Sequence, residues 1–427
     1  MKKKEVRPRQ SMDTRSLFRM PWTMADNALS WLEPSRKCNI RCDACFARND
    51  PQSEKTVDQI ERDLDELLGL RRCDAMLIAG GEPLTHPAIL EIIAMVKRRG
   101  VKPVLITNGV GLTPEWIREM KRAGLFGFTF HVDSHQGRPG WTGKTERELN
   151  ELRQTFADMV YDAGGMICGF NMTVFPDTLS YVPEIVVWAL GNVHKVQSYT
   201  LAALRLVGPN APFEYFAGGR PVTLEDTAYY TRESYADLTS RDILASIRKV
   251  IPDFEFCAYL GGTALPHSLK WAVGSRIASR TDGFGQLGPK AMEIIQVGYH
   301  LFKGRYMAFG NPKWNGRAKP LFLLGAFDPS LRRAARAFIG KALRHPSLIW
   351  KRLFVQSISV VQPTDFLPSG ERDNCDGCPN KTIWRGRLVS ACLLEEYAKF
   401  GAPITAVPRE IPGRLFLQNR FNEEEKA

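Results

Sequence analysis

The sequence predicts an α/β fold, a partial (β/α)6 TIM-like barrel of parallel strands with a C-terminal extension that carries a second cysteine cluster. Three observations predict it. Short apolar runs alternate with amphipathic stretches from about residue 28 to 205. That rhythm stops after residue 205, where a Gly- and Pro-rich stretch over 208–225 follows. Six of the nine cysteines fall in two tight groups: Cys38, Cys42 and Cys45 near one end, Cys375, Cys378 and Cys392 near the other.

The alternation resolves into strands over 28–33, 75–79, 103–107, 127–132, 166–174 and 196–202. Helices fall between them over 56–68, 87–98, 114–122, 146–162 and 182–190. Strand and helix in turn at this spacing require parallel crossovers, and six units are too few for a closed eight-stranded barrel. Gly124, Gly164 and Gly165 stand where helices should stop. The chain divides into a basic N-terminal tail (1–27), a core barrel (28–205), a linker with a basic, aromatic-rich amphipathic region (206–355), and the region of the second cysteine cluster (356–427). Residues 226–300 mix helical and loop character and place no element.

With 427 residues, 44% apolar and 24% charged, the chain has the composition of a globular protein with a real core. No apolar run approaches the roughly 20 residues that span a bilayer. Met1-Lys2-Lys3-Lys4 leads into no apolar stretch of a secretory signal, so a cytoplasmic protein is expected. Close cysteine groups in that compartment bind metal more often than they form disulfides. Cys73, Cys168 and Cys257 sit singly and are expected to be buried structural thiols. The net charge of +12 is local. Residues 290–352 hold 13 Lys/Arg against Glu293 and Asp328, residues 1–10 add a balance of +4, and the remainder sums to −3.

The first cysteine group reads Cys38-Asn39-Ile40-Arg41-Cys42-Asp43-Ala44-Cys45, directly after the first predicted strand. Three thiolates on one loop bind three irons of a 4Fe–4S cube and leave the fourth open. Zinc prefers four ligands, and no fourth Cys or His lies close in sequence. This C-x3-C-x2-C loop, with the motifs after it, resembles the radical S-adenosylmethionine (SAM) superfamily over roughly residues 28–205. The resemblance implies that the open iron chelates the amino and carboxylate groups of SAM. It also implies that Gly80-Gly81-Glu82-Pro83 receives the SAM amino group, the glycines letting backbone approach and the carboxylate offering a counter-charge. Thr107, Asn108, Asp133 and Asn171 match polar positions near SAM. A one-electron reductant such as flavodoxin or ferredoxin is implied as well. Many members of the family place an aromatic residue just before the third cysteine. Here Ala44 stands there and Phe46 follows.

The second group, Cys375-x2-Cys378-x13-Cys392, is similar in spacing to the GTP-cyclising enzyme of molybdenum-cofactor synthesis, which implies an auxiliary 4Fe–4S cluster. Residues 386–392 are expected to form the hairpin that returns the third ligand. The arginine-rich stretch after the second cysteine and the C-terminal Gly-Gly of that enzyme are absent, so its substrate is not carried over. A zinc knuckle with a distant fourth ligand stays open.

Residues 331–344 fit a helical wheel, with Leu331, Ala334, Ala335, Phe338, Ala342 and Leu343 on one face and Arg332, Arg333, Arg336 and Arg344 on the other. Large aromatics and basic residues interleave on both sides of it. Two main readings stay open: a helix packed on the barrel with a solvated basic face, or contact with an anionic membrane, placing the protein peripherally on its inner face. Nucleic acid is the least favoured partner. The leading function is hydrogen abstraction from an organic substrate, a lipid or other hydrophobic molecule. The alternatives are a maturase of a ribosomally made peptide and a non-catalytic zinc protein that binds nucleic acid. The 37 residues before Cys38 are expected to be too few for a leader-recognition or cobalamin domain.

Overall fold

β1 (Leu29–Ser35) is buried along its whole length, as a strand covered on both faces must be. It opens a parallel sheet. α1 (Val57–Leu70) returns the chain to β2 (Ala75–Gly80), and α2 (Ile89–Arg98) returns it to β3 (Lys102–Thr107). Three further units follow: α3 (Pro114–Ala123) with β4 (Gly127–His131), α4 (Leu149–Ala163) with β5 (Ile167–Val174), and α5 (Val182–Gly191) with β6 (Ser198–Ala203). All six strands pair in parallel in chain order. The computed structural model describes residues 13–208, 211–225, 227, 230–232 and 238–409.

Local chemistry explains the helix ends. Thr56 and Gln59 form a capping box that satisfies two free N–H groups at the start of α1. Thr113 caps α3, Pro114 occupies its first turn, and Gly124 ends it in the left-handed region at φ 103°. Ile60, Leu64 and Leu67 recur at helical spacing and form the buried stripe of α1.

The sheet is larger than the sequence pattern implies. α6 (Ser240–Ile247) packs into the barrel core. β7 (Trp271–Ala278) and β8 (Phe354–Val361) join the sheet, β8 parallel to β6 and β7 antiparallel to β8. Ala258–Leu260 extends it beyond β7. The stretch 206–355, expected to be linker and amphipathic region, therefore supplies strands to the main sheet, and β8 straddles the boundary at 355. Their apolar periodicity is masked because one face of each strand carries Ser, Gly or Gln.

α7 (Pro289–Lys303) and α8 (Pro329–Arg344) pack on the end of the sheet. On α8, Leu331, Ala334 and Ala342 are buried as the wheel requires. Leu343 is not; it is 80% exposed. It lies roughly 120° round the helix from Leu331, off the packed stripe. Cys73, Cys168 and Cys257 are buried free thiols, as expected. Among the described residues no helix is long and apolar enough to cross a membrane.

Arg71 joins the barrel to the C-terminal region. Its guanidinium is 1% exposed and donates to the carbonyls of Met24 (2.9 Å), Leu29 (3.0 Å) and Cys378 (2.8 Å). Burial pushes its pKa down to about 10, which still leaves it charged at neutral pH. Removing the side chain strands these buried acceptors. Arg71→Ala should cost about 3 kcal/mol, seen as a thermal midpoint lower by roughly 3 °C. An unchanged midpoint would contradict this role.

Candidate active site and cofactor-binding loops

The first cysteine loop lies across the C-terminal ends of the parallel strands, where such barrels place their sites. Two neighbouring loops clamp it. On one side the Gly81 N–H donates to Ser35 O and the Glu82 N–H to Lys37 O, both at 2.8 Å. On the other, the Gly137 N–H donates to Arg41 O at 2.6 Å and the Asp43 N–H to His135 O at 2.9 Å. Asn49 seals the entrance: the Cys38 N–H donates to Asn49 Oδ1 at 3.0 Å, and Asn49 Nδ2 donates back to Cys38 O. Ala44 is held in the left-handed region at φ 55°. Phe46 meets Trp31 edge to face at 5.6 Å between ring centroids.

Glu82 ties this loop to β3. One carboxylate oxygen accepts from Thr107 Oγ1 (2.6 Å) and the Leu84 N–H (3.0 Å), the other from the Asn108 N–H (2.7 Å). Burial raises its pKa, and these donors oppose the rise. Asn108 Nδ2 then reaches Asn39 Oδ1 at 2.7 Å and Cys38 Sγ at 3.8 Å. Arg138, also buried, donates to the Asn108 and His131 carbonyls. The glycines of Gly80-Gly81-Glu82-Pro83 thus serve the cysteine loop first. A Cβ on Gly81 would meet Lys37 O at 2.2 Å, and one on Gly80 would meet Ser35 O at 2.4 Å. Pro83 starts the turn that follows.

Asp133 faces inward. Its carboxylate accepts from His131 Nε2 (2.7 Å) and from the Thr173 and His135 N–H groups. Burial works against its charge, but His131, Thr173 and His135 outweigh it and hold the group below the usual carboxylate range. His131 and Asn171, rather than Asp133, line the central cavity. Asn171 Oδ1 is buried with no hydrogen-bond partner.

The donor set fits an iron–sulfur cluster. Burial raises the pKa of all three first-loop thiols, that of Cys45 to about 11. Their negative forms therefore need a positive partner, which iron supplies. Among the described residues no group of three His, Cys, Asp or Glu side chains is arranged to hold a single metal ion.

The second trio is built by a hairpin, β9 (Lys381–Trp384) and β10 (Arg387–Ser390), turning at Arg385 and Gly386, both with positive φ. The hairpin brings Cys392 back towards Cys375 and Cys378. A hydrogen bond between Cys375 and Cys378 raises the pKa of the first and lowers that of the second. A Cβ on Gly377 would meet Trp22 O at 2.1 Å, so the loop packs tightly on the N-terminal segment. Asn380 Oδ1 is buried and unpartnered beside the trio. Cys375, Cys378 and Cys392 line the same cavity as His131, Asn171, Ala44 and Phe46. Its volume is about 3500 Å³.

Residues 32–189 match the family model of the radical SAM superfamily. The chain carries a radical SAM domain. The AdoMet-dependent heme synthase of Methanosarcina barkeri is 31% identical over 174 residues, 38% of this chain and 49% of that protein. The tungsten-containing aldehyde ferredoxin oxidoreductase cofactor-modifying protein of Pyrococcus furiosus is 30% identical over 106 residues, 24% of this chain and 30% of that one. The antilisterial bacteriocin subtilosin biosynthesis protein of Bacillus subtilis is 30% identical over 133 residues, 28% and 29% of the two chains. The chain thus spans about half the length of the heme synthase and less of the other two.

The radical SAM domain contains every residue of the first candidate site; the second cysteine trio lies outside it. Sequence reading missed Arg71, Asn49 and Arg138, whose roles depend on backbone groups far away in sequence. Gly81→Ala should force the cysteine loop off the GGEP turn. Bound iron and acid-labile sulfide should fall to well under half of wild type, with far-ultraviolet circular dichroism retained. Full iron content in that variant would refute the packing role.

Proposed function

We propose that this chain is a radical SAM enzyme that abstracts hydrogen from a large, mostly apolar substrate, a lipid or other hydrophobic molecule taken from an anionic membrane surface. In this reading Cys38, Cys42 and Cys45 hold the first 4Fe–4S cluster and Cys375, Cys378 and Cys392 an auxiliary one. A cluster held there would supply the single electron, drawn from a reductant such as flavodoxin or ferredoxin, that cleaves the SAM sulfonium to methionine and a 5′-deoxyadenosyl radical. Gly80, Gly81, Glu82 and Pro83 position the cysteine loop against SAM. Thr107, Asn108, Asp133 and Asn171 surround it, Asp133 by orienting His131. The cavity walls keep water from the radical.

The observation that carries the reading is one cavity lined by Ala44 and Phe46 of the first cysteine loop and by all three cysteines of the second group. At about 3500 Å³ it far exceeds the volume of ordinary small-molecule sites, which run to roughly 1,000 Å³. It extends to Met307, Trp314 and Leu321 in the basic segment. The surface of that segment is unusually apolar. Leu301, Phe302, Leu323, Phe327, Leu343 and Trp350 are each at least 67% exposed. Basic Arg333, Arg336, Arg344 and Lys351 stand exposed among them. Apolar tips with cations suit the interface of an anionic bilayer. Arg332 is different, because it donates to the carbonyls of Gly325 and Ala326 and closes the preceding turn.

A peptide substrate is the second reading. The likeness to the subtilosin biosynthesis protein supports it, and a cavity of this size accepts a peptide. A zinc-binding nucleic-acid protein is disfavoured by the SAM-domain match.

Anaerobically reconstituted protein should carry roughly eight irons, and the triple Cys375/Cys378/Cys392→Ala variant roughly four. Cys38→Ala should lose 5′-deoxyadenosine formation; wild-type rates in that variant would sink the proposal.

In flotation assays, binding to vesicles should rise with phosphatidylglycerol content and fall with salt, since surface charge is screened over about 8 Å at physiological ionic strength. Replacing Arg336, Arg344 and Lys351 by Gln should remove the salt-sensitive part, and Phe302, Leu343 and Trp350 by Ser the salt-resistant part. Wild-type protein that ignores both neutral and anionic vesicles would remove the membrane from this reading.

A further inference from the structure

The barrel interior has two unlike walls. On β1, β2 and β3 the cavity-lining residues are Leu29, Trp31, Leu77 and Ile106, all apolar, with Lys102 at the start of β3. On β6, β8 and β7 the middle of the wall is a row of hydroxyls, Ser198 and Thr200, Ser357 and Ser359, and Ser275, with Val273, Val355 and Val361 at its ends. The register aligns them. Ser198 stands opposite Ser357 and Thr200 opposite Ser359 across one strand pair, and Ser357 opposite Ser275 across the next. The residues between them, Tyr199, Leu201, Ile358, Val360 and Ala272, face the other way into the hydrophobic core.

This arrangement needs an explanation, because barrel interiors are normally filled by layers of Val, Ile and Leu. Cross-strand hydroxyl pairing accounts for part of it: Ser275 Oγ and Ser357 Oγ are 3.1 Å apart. It does not account for Ser198, Thr200 and Ser359. Among the described residues no side-chain hydrogen bond engages those three hydroxyls, and they open on the cavity. Gly169, between Thr129 and Ser198 in the same row, leaves the Ser198 hydroxyl its space; a Cβ there would meet it at 2.4 Å. The wall also lies outside residues 32–189, the span matched by the SAM domain.

The geometry points to a binding wall on β6, β7 and β8 for a neutral polyhydroxylated group, a sugar or other polyol, carried by an amphiphile whose apolar part rests on the β1–β3 wall. This rests on the proposed reading of the cavity as a substrate site and names the polar part of that substrate. Serine and threonine hydroxyls both donate and accept, so a row of them matches the alternating donors and acceptors of a polyol. They carry no charge to hold a phosphate or carboxylate. Two cations of the same cavity, Lys270 and Arg205, are each held by a carboxylate, Lys270 by Asp373 at 3.0 Å and Arg205 by Asp365 at 2.9 Å. A site built to hydrogen-bond hydroxyls discriminates strongly against analogues that lack them.

The test uses full-length holoprotein, purified anaerobically, without SAM. Tryptophan fluorescence reads binding, since Trp31 and Trp271 line the cavity. The probes are n-octyl β-D-glucopyranoside below its micelle concentration, 1-octanol and octyl phosphate. The glucoside should bind at least about tenfold tighter than either of the others. In the Thr200→Val/Ser359→Ala double variant that preference should fall by about tenfold. Octanol affinity, iron content and thermal midpoint should be unchanged, and Thr200→Ser should keep the preference. Equal affinity for the three probes, or a preference that survives the double variant, overturns the proposal. The readout needs no turnover. A glucoside preference without SAM cleavage would therefore overturn the functional reading alone, and SAM cleavage without the preference would overturn this inference alone.

Discussion

The buried carboxylate of Glu82 is the constraint on which the candidate site depends. It accepts from Thr107, Leu84 and Asn108 at once, while its own N–H holds Lys37 O. One residue thereby fixes the ends of β2 and β3 through its carboxylate and the start of the cysteine loop through its N–H. A buried carboxylate is costly unless satisfied in this way. Asn108 extends the network to the Cys38 sulfur. The thiol geometry is thus set by the strand ends of a rigid sheet, not by a free loop, which is how a reactive centre is held to tight tolerance.

From that fixed corner the sheet runs on past the six-unit barrel. β7 and β8 widen it, and Arg71 pins the second cysteine loop to the same frame through the Cys378 carbonyl. Ala44 and Phe46 of the first cysteine loop and the three cysteines of the second therefore border one cavity with unlike walls. The chemistry proposed for the first loop and the amphiphile proposed for the cavity are consequences of one architecture. Strands that carry Leu and Trp inward meet strands with a central row of Ser and Thr.

Much of this was legible in the sequence. The six core strands and five helices follow the apolar periodicity, and each falls within a few residues of its expected place because burial on both faces leaves little choice of register. The cysteine spacings were legible because ligands on one loop are local. The Gly-Gly-Glu-Pro turn was seen, but not its packing: its glycines face the Lys37 and Ser35 carbonyls, a close approach that only the folded chain displays. That Glu82 also accepts from Thr107, Leu84 and Asn108 could not be read, since two of these donors lie some 25 residues away. β7 and β8 were missed, since Ser275, Ser357 and Ser359 break the apolar pattern expected of a core strand. The Ser-x-Thr and Ser-x-Ser alternations at 198–200 and 357–359 were the available signal, with a period of two residues. Leu343 was placed on the packed face by its apolarity alone, whereas its angle round α8 puts it in solvent.

The account stands on the first loop holding an iron–sulfur cluster that engages SAM. The most direct measurement is the electron paramagnetic resonance spectrum of the dithionite-reduced Cys375/Cys378/Cys392→Ala variant, recorded with and without SAM. The account predicts the signal of one reduced 4Fe–4S cluster whose g values shift when SAM is added. No cluster signal, or one that SAM leaves unchanged, would contradict it.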